Sequence, residues 1–222
     1  MSAPRRFSQE RFTRPPESTE LILVRHAASA DAVEGDEFEL VEGQGDPPLS
    51  PIGREQADRV AERLAQLQFD ALYVSSLRRT AETAAPLAHR TGKTPIVEPD
   101  LREVFLGEWE GGVFRQKVAD GDPLAARIYT EQRWDVVPGA ESSDAFSGRL
   151  RGAVGRIVAT HPGQCVIAFS HGAAIAEILA QATGSAPMAF LYSDNTAISR
   201  LVLTPGTRTT LRSFGDTAHL DR

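Results

Sequence analysis

"CVIAFSHGAAIAEILAQATG", residues 165–184, sets a strand, a polar joint and a helix end to end. Residues 165–169 are apolar at every position, which reads as a strand buried on both faces. From Gly172 onward come small and aliphatic helix formers, closed by Gly184, which suits a left-handed helix end. A doubly buried strand passing straight into a helix is the unit of an α/β sheet covered on both sides. In such sheets ligands bind at the carboxyl ends of the strands, where Ser170 and His171 fall.

The same joint recurs elsewhere. "ELILV" (20–24) is an apolar strand running into Arg25 and His26, and "DALYVSS" (70–76) a strand running into Arg78 and Arg79. Two strand ends thus deliver histidines and two deliver arginines. Around them the spacing predicts helices over 49–67, 77–90, about 123–133, 142–160 and 172–184, and strands over 94–98, 197–203 and 209–214, the last two as a hairpin. Ser50 is the expected N-cap of 49–67, with Pro51 at its first position and Ile52, Val60, Leu64 and Leu67 on its buried face. Pro86 should disturb 77–90. Residues 27–48 read as turn-rich, and 100–122 carry too many glycines to assign. The fold class expected is a three-layer α/β/α sandwich with a mostly parallel central sheet.

The chain has 222 residues, with 24 Lys and Arg against 30 Asp and Glu, a net charge of −6. That length fits one domain, expected over 20–222, with an irregular cap at about 103–140. The acidic balance speaks against a nucleic-acid surface, and no apolar run suggests a membrane span. Residues 1–19 lack a signal-peptide core and read as a disordered tail stopped by Pro15 and Pro16. A cytoplasmic protein is the expectation. The single Cys165 excludes an internal disulfide and a cysteine zinc site, and it sits in an apolar run as an inert thiol.

Imidazole and guanidinium gathered at strand ends suit a phosphate, whose oxygens match the planar guanidinium fork. Arg79 lies in the first turn of its helix, where a cation is unfavourable unless an anion is bound; the alternative is an arginine reaching for solvent. The helix after His171 offers further backbone N–H groups. "TGKT" (91–94) is no P-loop, since Leu87 stands where glycine is required. Ser170-His171 lacks a G-x-S-x-G elbow. His89, His161 and His219 have no ligand spacing and read as surface residues. Trp109, Trp134, Phe105 and Phe114 either line a substrate pocket or only fill the cap.

"VRHAAS", "DPPLSPIGREQA", "SSLRRTAETA", "LREVFLGEWEG", "PGAESSDAF", "FSHGAAI" and "NTAISRL" together resemble the histidine phosphatase superfamily, of phosphoglycerate-mutase-like fold, over about residues 20–203. The resemblance implies that His26 is the nucleophile and Glu103 the proton donor. It implies that Arg25, Arg79, His171, Ser29 and Gly172 hold the phosphate. Glu108 and Glu110 are nearby carboxylates that only the motif sets aside. No metal and no cofactor are implied, and the partner is a small phosphorylated substrate; a homodimer is left open. The sequence departs from the family pattern at Ala27 and Ala28, and Ala32 stands where many members carry a phosphate-contacting asparagine. The expected function is a phosphomonoester hydrolase with a phosphohistidine intermediate. The alternatives are a phosphoglycerate-type mutase, a protein phosphohistidine phosphatase, and a non-catalytic phospho-ligand binder. The acidic segment 27–46 is either a solvated loop or a lid that disfavours polyanions.

Overall fold

Along the first strand the side chains alternate between two cores. Leu21 and Leu23 join one cluster with Leu150, Ile157, Ile175 and Leu179. Ile22 and Val24 join another with Val60, Leu64, Leu87 and Phe169. A strand apolar on both faces thus has a layer of helices on each side. The computed structural model that shows this describes residues 5–206 and 209–221. Its elements run β1 (Thr19–Arg25), a small hairpin β2 (Leu40–Val41) and β3 (Gln44–Gly45), α1 (Pro51–Leu64), β4 (Ala71–Val74), α2 (Arg78–Thr91), β5 (Ile96–Val97), α3 (Val113–Ala119), α4 (Pro123–Glu131), α5 (Ser143–Thr160), β6 (Cys165–Ser170), α6 (Gly172–Thr183), β7 (Ile198–Leu203) and β8 (Thr210–Asp216), with 3₁₀ turns at Pro99–Leu101 and Gly107–Trp109.

The sheet order is β5-β4-β6-β1-β7-β8. The first four of these strands are parallel; β7 runs antiparallel to β1, and β8 to β7. Helices α1 and α2 cover one face, α5 and α6 the other, so the fold is the expected three-layer sandwich. In the pairing of β1 with β6, Arg25 lies opposite Ser170. The residues that follow, His26 and His171, therefore emerge side by side.

The helix ends follow their sequence signals. Ser50 Oγ accepts from Gly53 N–H at 3.1 Å with Pro51 behind it, and Gly184 closes α6 in the left-handed region. Pro86 lies inside α2 without ending it, flanked by the fully buried Ala84 and Leu87. The buried face of α1 differs from the expected one. It comprises Gly53, Ala57, Val60, Ala61 and Leu64, while Ile52 is 60 % exposed. Small residues win that face because α1 lies directly on the loop after β1, and a Cβ at Gly53 would stand 1.9 Å from the Ala28 carbonyl oxygen.

Residues 1–4 of the segment read as a tail lie outside the described residues, and near its other end Arg14 donates to the carbonyls of Ser18, Gly163 and Gln164. Two further expectations are corrected. His219 is buried and bonded to Thr196 Oγ1, and His161 is clamped between Tyr73 Oη and Gln164 Oε1, so neither is a surface histidine. His161 has both ring nitrogens bonded, whereas Nδ1 of His219 is buried without a partner. The Cys165 thiol is buried, and burial pushes its pKa up to about 11. Among the described residues no helix is long and apolar enough to cross a membrane.

Candidate active site

The backbone after β1 is held at successive groups. His26 N–H donates to Ser170 O at 2.9 Å, and His26 O accepts from Asn195 Nδ2 at 2.9 Å. Ala27 N–H donates to Thr83 Oγ1 at 3.0 Å, Ala28 N–H to Gln56 Oε1 at 2.9 Å, and Ala28 O accepts from Ser50 N–H at 2.9 Å. Strand β6, the turn before β7 and helices α1 and α2 thus fix the segment that carries His26, an arrangement suited to a group that must not move.

His26 is buried, and its Nδ1 lies 2.7 Å from the Ala27 carbonyl oxygen. A carbonyl only accepts, so Nδ1 carries the proton and Nε2 keeps its lone pair. Burial, then the charges of Arg79 and Arg25, hold the imidazole pKa well below 6.5, so the ring is neutral at neutral pH. His171 sits against it, ring centroids 5.1 Å apart at 60°. It is fully buried and likewise neutral, with burial and Arg79 as the leading causes.

Arg79 is 7 % exposed, which decides against the solvent-reaching reading. It donates to Gly45 O at 2.9 Å and lies 3.8 Å from the buried Asp46 carboxylate. Its neighbour Arg78 turns instead to Asp46 O and stays out of the cavity. Arg25 donates to the Ser193 carbonyl. Around this point Arg25 Nε, His171 Nδ1 and Ser193 Oγ are buried without a partner. Buried polar atoms are rarely left so, and a cluster of them marks where a ligand's oxygens belong.

The carboxylates separate cleanly. Glu103 lines the cavity and accepts from the N–H groups of Val104, Ala173 and Ala174 at 3.0–3.1 Å. Two of the N–H groups expected to serve the phosphate at the start of α6 are therefore taken by Glu103, while Gly172 remains on the cavity wall against Arg25. Glu110 also faces the cavity but ties Gly45 N–H to Leu106 N–H, each at 2.8 Å, and burial raises its pKa. Glu108 is exposed and outside the cavity.

Above this floor the cavity extends to about 470 Å³. Trp109, Phe114 and Trp134 line it while packing on one another, centroids 6.1 and 6.3 Å apart, so they serve both purposes the sequence left open; Phe105 stays outside. Ser29 does not line it. Its hydroxyl accepts from Arg115 at 2.7 Å, and Arg115 also donates to Ala30 O. Arg115, on α3, lines the cavity and is not singled out by sequence, nor are Ser193 in the same lining and Ser75, whose hydroxyl lies 2.8 Å from His171 Nε2. Among the described residues, no three His, Cys, Asp or Glu side chains gather as a metal site.

Residues 21–217 match the family model described as histidine phosphatase superfamily (branch 1). Phosphoglycerate mutase-like protein 4 of Arabidopsis thaliana is 34% identical over 206 residues, 91% of this chain and 87% of that protein. The metal-independent phosphoserine phosphatase of the same plant is 28% identical over 208 residues, 92% and 84% of the two chains. The structure of mycobacterial glucosyl-3-phosphoglycerate phosphatase superposes with a TM-score of 0.75 at 29% identity, covering 90% of this chain and all of that one.

Proposed function

The chain belongs to the histidine phosphatase superfamily, and from that premise we propose that it hydrolyses a small phosphomonoester through a phosphohistidine on His26, without a metal ion. The observation that carries the reading is the bare Nε2 of a neutral, immobilised His26 beside Arg25, Arg79 and the unpartnered Nδ1 of His171. Nε2 attacks phosphorus in line. The guanidinium groups, His171 and the backbone at Gly172 hold the phosphoryl oxygens and balance their charge. Glu103 passes a proton to the leaving alkoxide and takes one from the water that then hydrolyses the phosphohistidine.

The mutase alternative draws on the names of two relatives, but the carboxylates of Glu103, Glu110 and Asp194 in the same cavity oppose a doubly phosphorylated ligand. The test is turnover and an acid-labile phosphoenzyme in wild type, His26→Ala and Glu103→Gln, with EDTA present. His26→Ala should show neither. Glu103→Gln should lose about 10²–10⁴-fold on alkyl phosphates and much less on p-nitrophenyl phosphate, whose leaving group needs little protonation. Appreciable turnover by His26→Ala would remove the nucleophile assignment. Loss on chelation that magnesium restores would remove the metal-free mechanism.

A further inference from the structure

The cavity is far larger than a phosphate needs, and its upper part has a consistent chemistry. Phe38, Leu106, Trp109, Phe114, Trp134 and Leu191 form its walls. At the mouth Tyr129 and Tyr192 stack at 6.1 Å and 19°, and Tyr192 is 80 % exposed, an unusual place for an aromatic ring with no partner beyond its neighbour. Among the described lining residues there is no Asn, Gln, Thr or Lys, and the one serine, Ser193, lies at the floor where its carbonyl meets Arg25. Neutral polar groups are thus confined to Ser193 and the Tyr129 and Tyr192 hydroxyls, so a polyol would depend on the charged side chains for its hydrogen bonds.

Charge points the same way. The lining carries Arg25, Arg79 and Arg115 against Glu103, Glu110 and Asp194. A dianionic phosphate already turns that balance negative, so no surplus cation remains for a second anionic group. Resting on the phosphomonoesterase reading, we infer that the organic part of the substrate is a neutral, planar apolar group, an aryl or arylalkyl residue seated among the aromatic walls. Ring faces and edges there offer stacked and edge-on contacts that favour an aromatic ligand over an aliphatic one of like area.

The two tryptophans of the chain both line the chamber, so binding can be read without turnover. Titration by tryptophan fluorescence should show 3-phenylpropylphosphonate binding at least about tenfold tighter than propylphosphonate. Hydrolysis of 3-phenylpropyl, propyl and 2,3-dihydroxypropyl phosphate, whose leaving alkoxides are alike, should rank the aryl compound first by a similar factor in kcat/KM. Tyr192→Ala, a change at an exposed ring, should shrink the aryl preference over propyl phosphate severalfold. Equal affinities for the two phosphonates, or a preference for the dihydroxypropyl ester, would overturn the inference. Aryl-selective phosphonate binding with no hydrolysis of any ester would sink the phosphatase reading and leave this one standing.

Discussion

A neutral imidazole has one N–H to give, and at His171 the surroundings decide which nitrogen has it. Nε2 lies 2.8 Å from Ser75 Oγ, and Nδ1 has no partner in the chain. Ser75 Oγ also lies 3.1 Å from Thr80 Oγ1, whose own proton is directed to the Leu77 carbonyl at 2.8 Å. The Ser75 hydroxyl can therefore turn to Thr80 or to His171. Only when it donates to Nε2 does the proton sit on Nδ1, where it can bond a phosphoryl oxygen. Ser75 is in this sense a positioning residue. In ¹⁵N NMR of the vanadate-bound protein, His171 should be the Nδ1–H tautomer in wild type and a mixture in Ser75→Ala, with vanadate inhibition weakened about tenfold, the scale of one hydrogen bond. An unchanged tautomer in the variant would refute the assignment. Residue identity made Arg25, His26, Arg79 and His171 legible in sequence, because imidazole and guanidinium at strand ends are chemically conspicuous. Ser75 and Ser193 were not, because a serine declares its role only through the atom it faces.

Element reading succeeded where one period dominated and failed where close approach did. The six strands of the main sheet, the cap at Ser50 and the glycine stop of α6 followed from local chemistry, whereas the short β2–β3 hairpin lies in the segment read as turn-rich. Ile52 was misplaced because hydrophobicity alone does not show that α1 must touch backbone. That contact gives a prediction. Gly53→Ala puts a methyl into the Ala28 carbonyl, two residues from His26, so α1 or the loop must shift. We expect a lower Tm and a kcat loss of tenfold or more on every substrate. Gly155→Ala, mid-helix in α5 with nothing within 4 Å of the added carbon, should instead gain about 0.5–1 kcal/mol and keep full activity. Thermal melts and kinetics of the pair check it; an undisturbed Gly53→Ala would mean that the close packing of α1 on the loop is dispensable. Segment 100–122 resisted sequence reading for a related reason. Its turns depend on glycines such as Gly107, φ +56°, packed against the Gly139 backbone, a partner distant in sequence.

At the scale of the molecule the field matters. Asp31, Glu34, Asp36 and Glu37 are all exposed on the segment whose Phe38 lines the cavity. Glu42 and Asp46 of the same segment are drawn into pairs with Arg102 and with Arg78 and Arg79, which leaves those four, beside the exposed Glu39, to act on what approaches. Their replacement by Asn or Gln should lower KM for bisphosphates about two- to fivefold at low ionic strength, and the gain should fade above about 0.3 M salt as screening sets in. Identical KM values before and after would assign the loop no electrostatic part. The sheet imposes a different kind of control. His26 and His171 leave neighbouring strands on the same rung, and their 5.1 Å spacing is close to the strand-to-strand repeat of about 4.8 Å. The proposed reaction centre is thus measured out by backbone pairing, whereas the walls proposed to choose the leaving group come mostly from the separate 103–140 segment and the loop before β7. Selectivity can then drift over generations by rewriting those walls, with the bond-breaking apparatus carried along unaltered.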